Sequence, residues 1–454
     1  MHLIHWDFLV HLEFSGTQPL YLQLAGAIRE KITSHKLPAG LKVPSSRELS
    51  AMVHLGRKTI LHALDSLVAS GHLYSAERKG YFVSDISAPD SNDLNTGLLY
   101  QDISTDLPSG RLKSEGELAR LYRRHYLKSV NRDYSQLIHT DSFRPFLKSL
   151  GNYLNRTRGL SLSQGEFTYG FGNYILLLMV LHALFPHGGR AVIGEPFNPS
   201  IVRTFINSGF HLDFIPVTPE GMDTDALEER LLKEVPDVLW LEALGHYPTG
   251  AVMSGQRRDH LFRLMQQYSF RVIEGNYESD FTFSGIKNSF LADFPESGTV
   301  QLSYLSRLIP TFQLTAIVAA PPELIHRLTQ LLQHERNVVF EHAVHSFLSE
   351  ELLIKLVLRS QKKYHSKLRR IVESSGRQQQ LYHSGTGLSL WYEFPHAIDY
   401  VKLDQKLKVK GLFMRHIKDY YYGAPPENML RIGLGKLPVR TITQILKMAH
   451  RYKK

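Results

Sequence analysis

Three residues, Arg57, Lys58 and Thr59, follow a tight "HLG" turn and stand where an apolar helical pattern begins. The first turn of a helix has backbone N–H groups without intrahelical partners and a partial positive charge. Two cations and a hydroxyl at that place suit an anion, and on duplex DNA they reach base edges or phosphate. Just upstream, Ser46 and Arg47 open a shorter helix and are placed to hold backbone phosphate. Lys79-Gly80 marks a turn between two strand-like runs, and its lysine is placed to reach an adjacent groove. There is no cysteine, so disulfides, thiolate zinc sites and cysteine nucleophiles are excluded.

The elements that must carry these residues are legible around them. In "PLYLQLAGAIREKITSH" apolar residues recur at Tyr21, Leu24, Ala25, Ile28 and Ile32, which predicts one buried helical stripe. Pro38, Gly40 and Pro44 then interrupt it. Ser45 with Glu48 three residues on predicts a capping box, and Leu49, Met52 and Val53 give the second helix a short apolar face. Ile60, Leu64, Leu67 and Val68 predict a third helix ending at Gly71, and "HLYSAERKGYFVS" alternates like a two-stranded wing. Three helices and a wing make a winged helix-turn-helix, whose third helix enters the major groove. The ordered runs "PLYLQLAGAIREKI", "LPAGLKVPSSRELS", "GRKTILHALDSLVASGHL" and "GYFV" resemble the GntR-type DNA-binding domain, expected over residues 1–84.

"SAPDSNDLNTG" is polar and lacks periodicity, so residues 85–104 read as a linker. From residue 105 to 454 the pattern changes. "RAVIGEP", "HLDFIPV", "VLWLEAL", "FRVIEGNY", "TVQLSYLS" and "LTAIVAAP" read as strands, with helical runs such as "DTDALEERLLKE" and "GQRRDHLFRLMQQ" between them. That alternation predicts an α/β domain with a mainly parallel sheet covered on both faces. The ordered segments "EPFNPSIVRTFINSGF", "GHYPTGAVMSGQ", "FRVIEGNYESDF", "LSYLSRLIPTFQL" and "MLRIGLGKL" resemble a fold-type I aminotransferase. A GntR-type head joined to such a domain is the organisation of the MocR subfamily of bacterial transcription regulators.

The resemblance implies a pyridoxal-phosphate site, and the matching positions depart from it one after another. The Schiff-base lysine, which follows a serine in the family, is matched by Arg307 after Ser306. A guanidinium stays charged and offers no nucleophilic lone pair, so no internal aldimine forms there. The acid that keeps the pyridine nitrogen protonated is matched by Gly275, two residues before Tyr277. In the phosphate cup Gly170 and Gly172 persist, but Phe171 stands where a small hydroxyl is usual. The ring that covers the cofactor is matched by Asn198, beside Phe197, and the phosphate-binding arginine by Gln313. Covalent pyridoxal phosphate is therefore not expected, and the domain reads as a pseudoenzyme without cofactor. The alternatives are non-covalent retention of the cofactor and an active aminotransferase using another lysine, of which Lys287 is nearest in sequence. Arg431, where the family grips a substrate carboxylate, would share a pocket with Asn198, Tyr247, Tyr277, Ser306 and Arg307. Two fixed cations there suit a small anion such as a dicarboxylate or phosphorylated metabolite. The bland reading has Arg431 paired to a neighbouring acid, Arg307 filling the vacated space, and the domain acting only as a dimeriser.

Composition fits this organisation. The 454 residues are 43% hydrophobic and 21% charged, as in ordinary globular chains. The net charge of +10 is local: residues 401–454 hold 13 Lys/Arg against 3 Asp/Glu, and the remainder balances at 40 of each. That surplus reads as a solvated basic region or as a further surface that meets DNA. The N-terminus shows no basic segment followed by an apolar run, and "ILLLMVLHALF" is too short to span a bilayer, so a cytoplasmic protein is expected. The expected partners are a double-stranded DNA operator and a second copy of the chain in a head-to-tail homodimer. No metal site is expected.

Overall fold

The computed structural model describes the chain apart from residues 1–3, 13, 15–18, 34–36, 38–40, 70–71, 77–79, 84–100, 104–112, 131–141, 283–288, 310–314, 333–335, 376–380 and 383–385. It divides into two compact units, Met1–Gln101 and Asp102–Lys454.

The first unit is built on α1 (Leu20–Thr33), α2 (Ser46–Val53) and α3 (Arg57–Ala69), followed by the antiparallel strands β1 (Leu73–Ala76) and β2 (Gly80–Val83). Its core is the stripe read from the sequence: Leu24, Ala25, Ile28 and Ile32 of α1 meet Ile60, Leu64 and Leu67 of α3. Trp6 and Leu9, from a short helical turn at the N-terminus, complete that core and were not anticipated. The capping box forms as expected. Ser45 Oγ accepts from the Glu48 N–H at 3.3 Å, and Glu48 Oε2 accepts from the Ser45 N–H at 2.7 Å. The α2–α3 turn depends on His54 in the left-handed region, φ 54°. Helix α3 runs to Ala69, and the expected stop at Gly71 lies outside the described residues.

The second unit begins in what the sequence suggested was linker. A short strand, β3 (Gln101–Asp102), leads into Ile103, which is fully buried. The Ile103 N–H donates to the Phe413 carbonyl, and its own carbonyl accepts from Gly433, both at 2.7 Å. Residues 102–103 are thus part of the folded domain, because an apolar side chain with both backbone groups paired across the core is not linker. Helices α4 (Lys113–Ser129) and α5 (Phe143–Arg158) precede an eight-stranded sheet.

Its strands are β4 (Phe167–Phe171), β5 (Gly189–Glu195), β6 (Phe210–Thr218), β7 (Gly221–Met222), β8 (Val238–Leu241), β9 (Arg271–Asn276), β10 (Val300–Tyr304) and β11 (Thr315–Ala319). Their order is β4-β11-β10-β9-β8-β5-β6-β7. The run from β10 to β6 is parallel, while β11 lies antiparallel to both neighbours. All six segments read as strands are strands. Helix α6 (Asn173–Leu184), α7 (Pro199–Asn207) and α11 (Pro322–Leu332) pack on one face of the sheet through Leu177, Val180, Phe205 and Leu328. Helices α8 (Thr224–Leu231) and α9 (Gly255–Gln267) contribute Leu227, Leu231, Leu261 and Leu264 to a cluster with Val192, Leu239 and Val272. Parallel strands covered by helices on both sides need apolar residues throughout, which is why they read as continuous rather than alternating runs.

Beyond α10 (Phe290–Asp293), the C-terminal part holds α12 (Val338–Ser349) and the 24-residue α13 (Leu352–Ser375). A three-stranded sheet follows, of β12 (Leu381–Tyr382), β13 (Ser389–Glu393) and β15 (Met429–Gly433). Helix α14 (Tyr400–Val409), strand β14 (Leu412–Phe413) and α15 (Val439–Arg451) complete it. The run Ile175–Phe185 lies mostly within α6, and among the described residues no helix is long and apolar enough to cross a membrane.

Candidate functional site

In the first unit α3 presents Arg57 and Lys58 to solvent at its first turn, with Thr59 half-buried beside them. Gly56 accepts the first helical hydrogen bond, from Ile60 at 3.1 Å. The outward face continues through Leu61, His62 and Asp65. His62 stacks on Tyr21 with ring centroids 3.8 Å apart, and Asp65 accepts from the Tyr81 hydroxyl at 3.2 Å. The helix is therefore braced from α1 and from the wing, while its basic tip stays exposed. Arg47 is exposed on the first turn of α2 and Ser46 half-buried. Gly80 opens β2 at φ 101°, a left-handed conformation that glycine adopts without strain. Lys79 lies outside the described residues.

In the second unit the site assembles where parallel strands end. Loops after the C-terminal ends of β8, β9 and β10 deliver Glu242 and His246, then Tyr277, Glu278 and Asp280, then Ser306 and Arg307. Crevices of this kind, outside the carboxyl ends of parallel strands, are where open α/β sheets bind ligands. Arg307 Nη1 is ion-paired with Glu278 Oε1, and their side chains are only 13% and 9% exposed. The two-cation pocket expected from the sequence is altered by this, since Glu278 neutralises one of its cations. Ser306 Oγ donates to Asp280 Oδ2 at 2.5 Å and accepts from the Leu308 N–H at 3.2 Å. The Tyr153 hydroxyl donates to the other Asp280 oxygen at 3.4 Å, and burial with that carboxylate beside it holds the phenol protonated. Arg158, itself buried, donates through Nη2 to the carbonyls of Tyr304 and Leu305 at 2.6 and 3.2 Å. This clamps the loop that carries Arg307.

Tyr277 is held by a 2.5 Å hydrogen bond from Asn173 Nδ2, the first residue of α6, and packs on Tyr304 at 4.9 Å. Burial raises its phenol pKa well above the usual value. At Gly275 a Cβ would come within 2.5 Å of Trp240 Cζ2, because the indole from β8 fills that space. Phe171 packs edge-on against Tyr169 and Phe340, each at 5.8 Å. Asn198 caps α7, its Oδ1 accepting from the Ser200 N–H at 3.0 Å, and Phe197 is buried against Phe214 at 5.1 Å. Neither is drawn to Arg307 by a described contact. Arg431 lies 4.2 Å over the Tyr247 ring and donates through Nε to the Pro248 carbonyl at 3.3 Å. Gln313 and Lys287 lie outside the described residues. Among the described residues, no group of three His, Asp or Glu side chains is arranged to hold a metal.

Glu278, Glu242, His246, Asp280 and Asn173 were missed by reasoning from the sequence. For Glu278 and Asp280 the only signal was the acidic run "YESD", whose pairing across a loop to residue 307 has no local mark, and the other three had none. Glu242 is buried and accepts from the Tyr247 N–H at 3.0 Å. Its pKa is pushed up to about 8, chiefly by burial and in lesser part by Glu278, against the opposing effects of the Tyr247 N–H and Arg307. Burial pushes His246 down to about 3, with Nδ1 3.0 Å from Thr249 Oγ1. The 3.8 Å approach of His246 Nε2 to Glu242 Oε2 is thus a contact between two neutral groups near pH 7, not an ion pair.

Residues 20–83 match the family described as bacterial regulatory proteins, gntR family. Over more of its length the chain is similar to the HTH-type transcriptional regulator YhdI of Bacillus subtilis, 24% identical over 74% of this chain and 73% of that one. It is 20% identical to the probable rhizopine catabolism regulatory protein MocR of Rhizobium meliloti, over 95% of this chain and 93% of that protein. Among solved structures, an archaeal alanine:glyoxylate aminotransferase matches with a TM-score of 0.68 at 16% identity, covering 80% of this chain and 92% of that one. The α-aminoadipate aminotransferase LysN of Thermus thermophilus, complexed with N-(5'-phosphopyridoxyl)-L-leucine, matches at 0.67 and 19% identity, over 80% and 94%.

Two outcomes test the second site. Glu278→Ala strips a mostly buried guanidinium of this carboxylate and should cost about 3 kcal/mol in denaturant unfolding. Adding Arg307→Met should recover most of that loss; equal losses would mean that the pair is not coupled. Between pH 4.5 and about 8 folded Glu242 keeps a proton that the unfolded carboxyl releases, so stability falls as pH rises. His246 acts oppositely between about 3 and 6.5, His125 between about 4 and 6.5, and Lys367, lowered to about 8, acts above the window. From pH 6.5 to 8 the wild type should lose stability by at most about 1.4 kcal/mol per pH unit. Glu242→Gln should flatten that slope in melting curves.

Proposed function

We propose, for a chain with a GntR-type winged helix on a fold-type I aminotransferase-like domain, the architecture of the MocR subfamily, that regulation has replaced aminotransferase chemistry. The protein is a bacterial transcription regulator with an aminotransferase-like domain. In the proposed reading its large domain is a pseudoenzyme that no longer holds pyridoxal phosphate through a lysine.

The observation that carries this reading is the Arg307–Glu278 pair, together with the Trp240 indole that fills the space at Gly275. At the position matched to the Schiff-base lysine stands a guanidinium engaged with a carboxylate. At the position matched to the pyridine's acid a side chain would collide with the Trp240 indole. The matched cup position is a phenylalanine packed into an aromatic cluster, and the matched ring position is a helix cap. The residues present therefore do not fit the cofactor. What persists is buried Arg431 lying over the Tyr247 ring, which supports a role in sensing a small anion. Arg431 would grip a carboxylate or phosphate, and Arg307 would respond through its exchange with Glu278.

In the head, Arg57, Lys58 and Thr59 are proposed to meet the major groove, and Ser46 and Arg47 to hold phosphate. A homodimer through the large domains places one head on each half-site. Exposed apolar residues on α4 (Tyr122, Tyr126, Leu127), at Val130 just past its end, and on α6 (Tyr174, Ile175, Leu178) support burial against a second copy.

Two measurements test the proposal. The purified protein, mixed with pyridoxal phosphate, should show no aldimine absorption band and retain no label after borohydride reduction. A trapped adduct would restore the enzyme reading. In binding to a promoter fragment, Arg57→Ala should weaken specific binding about 10- to 100-fold, the scale of one base contact. A lysine-to-alanine change in the C-terminal basic region should leave the preference for that fragment over random DNA intact. Equal losses of preference would remove α3 from the recognition role.

A further inference from the structure

The basic surplus of residues 401–454 is not a loose tail. It is carried by α14, α15 and the segments between them, folded into the large domain. Helix α15 has no acidic residue, and its outward positions Arg440, Gln444, Lys447 and Arg451 recur at four, three and four residues, forming one solvent stripe. The helix beside it extends this surface with cations the C-terminal count did not include. Helix α13 holds seven Lys/Arg and one acid. Lys355, Arg359, Lys362, Lys363, Arg369 and Arg370 are all exposed and fall on one face at helical spacing.

Packing puts the two helices side by side. Leu368 and Ile371 share a core cluster with Ile442, Ile445 and Leu446, and Ser374 Oγ lies 3.2 Å from Thr443 Oγ1. The ion pair described on this face is Arg369 to Glu373 at 3.5 Å, between side chains 71% and 64% exposed. Exposed pairs contribute little, so the face keeps its positive potential. The α13 row from Lys355 to Arg370 runs about 22 Å at 1.5 Å per residue. That matches about six base pairs of duplex, with two phosphates per 3.4 Å.

We propose that this two-helix face of the aminotransferase-like domain is a sequence-independent contact for the phosphate backbone of duplex DNA. The inference rests on the reading of the head as a DNA reader, because a head that holds DNA supplies this occupant to the same molecule. Among the α13 cations no Phe, Tyr or Trp is exposed, Tyr364 being buried, so the face offers charge along a backbone rather than large rings on which single-stranded bases stack. Its role is added affinity with no added sequence preference.

The test measures binding of the full-length protein to a random-sequence duplex several helical turns long, across a series of salt concentrations. Four proteins are compared. They are the wild type, a face variant (R359Q, K362Q, K363Q and R370Q), a charge-matched control elsewhere on the domain (R203Q, K233Q, R263Q and R271Q), and the head variant R57A with K58A. Each lost phosphate contact lowers the slope of log K against log salt by about 0.9, so the face variant should be shallower by about 3 to 4. The control should match the wild type. A face variant with the wild-type slope overturns the proposal, as does equal shallowing by the control, and an RNA or acidic-protein partner for the face would produce the first of these. A head variant that binds like wild type fails the head reading instead, whatever the face variant does. Unchanged melting temperatures of all four proteins establish that the substitutions act on binding.

Discussion

Five parallel strands of the large domain end at one edge of its sheet, and that shared edge is the constraint on which the second site depends. Strands β8, β9 and β10 are neighbours in register, so the residues just past their ends must converge although they are far apart in sequence. Glu242, Glu278 and Arg307 arrive in one enclosed place for this reason. Helix α6, packed on the same sheet, sends Asn173 to the Tyr277 hydroxyl, and α5 sends Arg158 to the carbonyls before Arg307. The scaffold decides where charge must be buried, and the local residues decide how it is neutralised.

That neutralisation is mutual. An arginine cannot shed its proton, so burial of Arg307 demands a carboxylate, and Glu278 meets it. Glu242 close by has its pKa raised, chiefly because it is buried and in lesser part because Glu278 is near, and is held toward its protonated form. His246 beside it stays neutral for the same reason of desolvation. The indole of Trp240 and the absence of a side chain at Gly275 are likewise two halves of one packing solution. Neither group is intelligible alone: a side chain at 275 excludes the indole, and without the indole a glycine in a buried strand leaves a void.

The head works by a different economy of parts. Its core is made by three short helices, and the exposed face of α3 is braced by Tyr21 and Tyr81 from outside the helix. Bracing leaves Arg57 and Lys58 free to face an anion without loosening the helix that bears them. The basic face on α13 and α15 is the opposite case, a surface whose identity comes from many weak charges rather than from a few placed ones.

Much of this was legible in the chain because it is local. Periodicity in α1 to α3, the Ser45–Glu48 cap and the continuous apolar strands depend on spacing within one turn or one strand, and each formed as read. Identities at Arg307, Gly275 and Phe171 were also plain, since a residue type needs no fold to be known. The place of Ile103 was misjudged because its partners, Phe413 and Gly433, are more than three hundred residues away. By itself the sequence determined which elements exist and which chemistry the site residues are capable of. Only the tertiary structure decided that Arg307 faces Glu278, that Trp240 fills the space over Gly275, and that α13 extends the basic face of α15. The physical reason is that pairing, filling and adjacency are properties of distance in space, which strand order and helix packing set and sequence spacing does not.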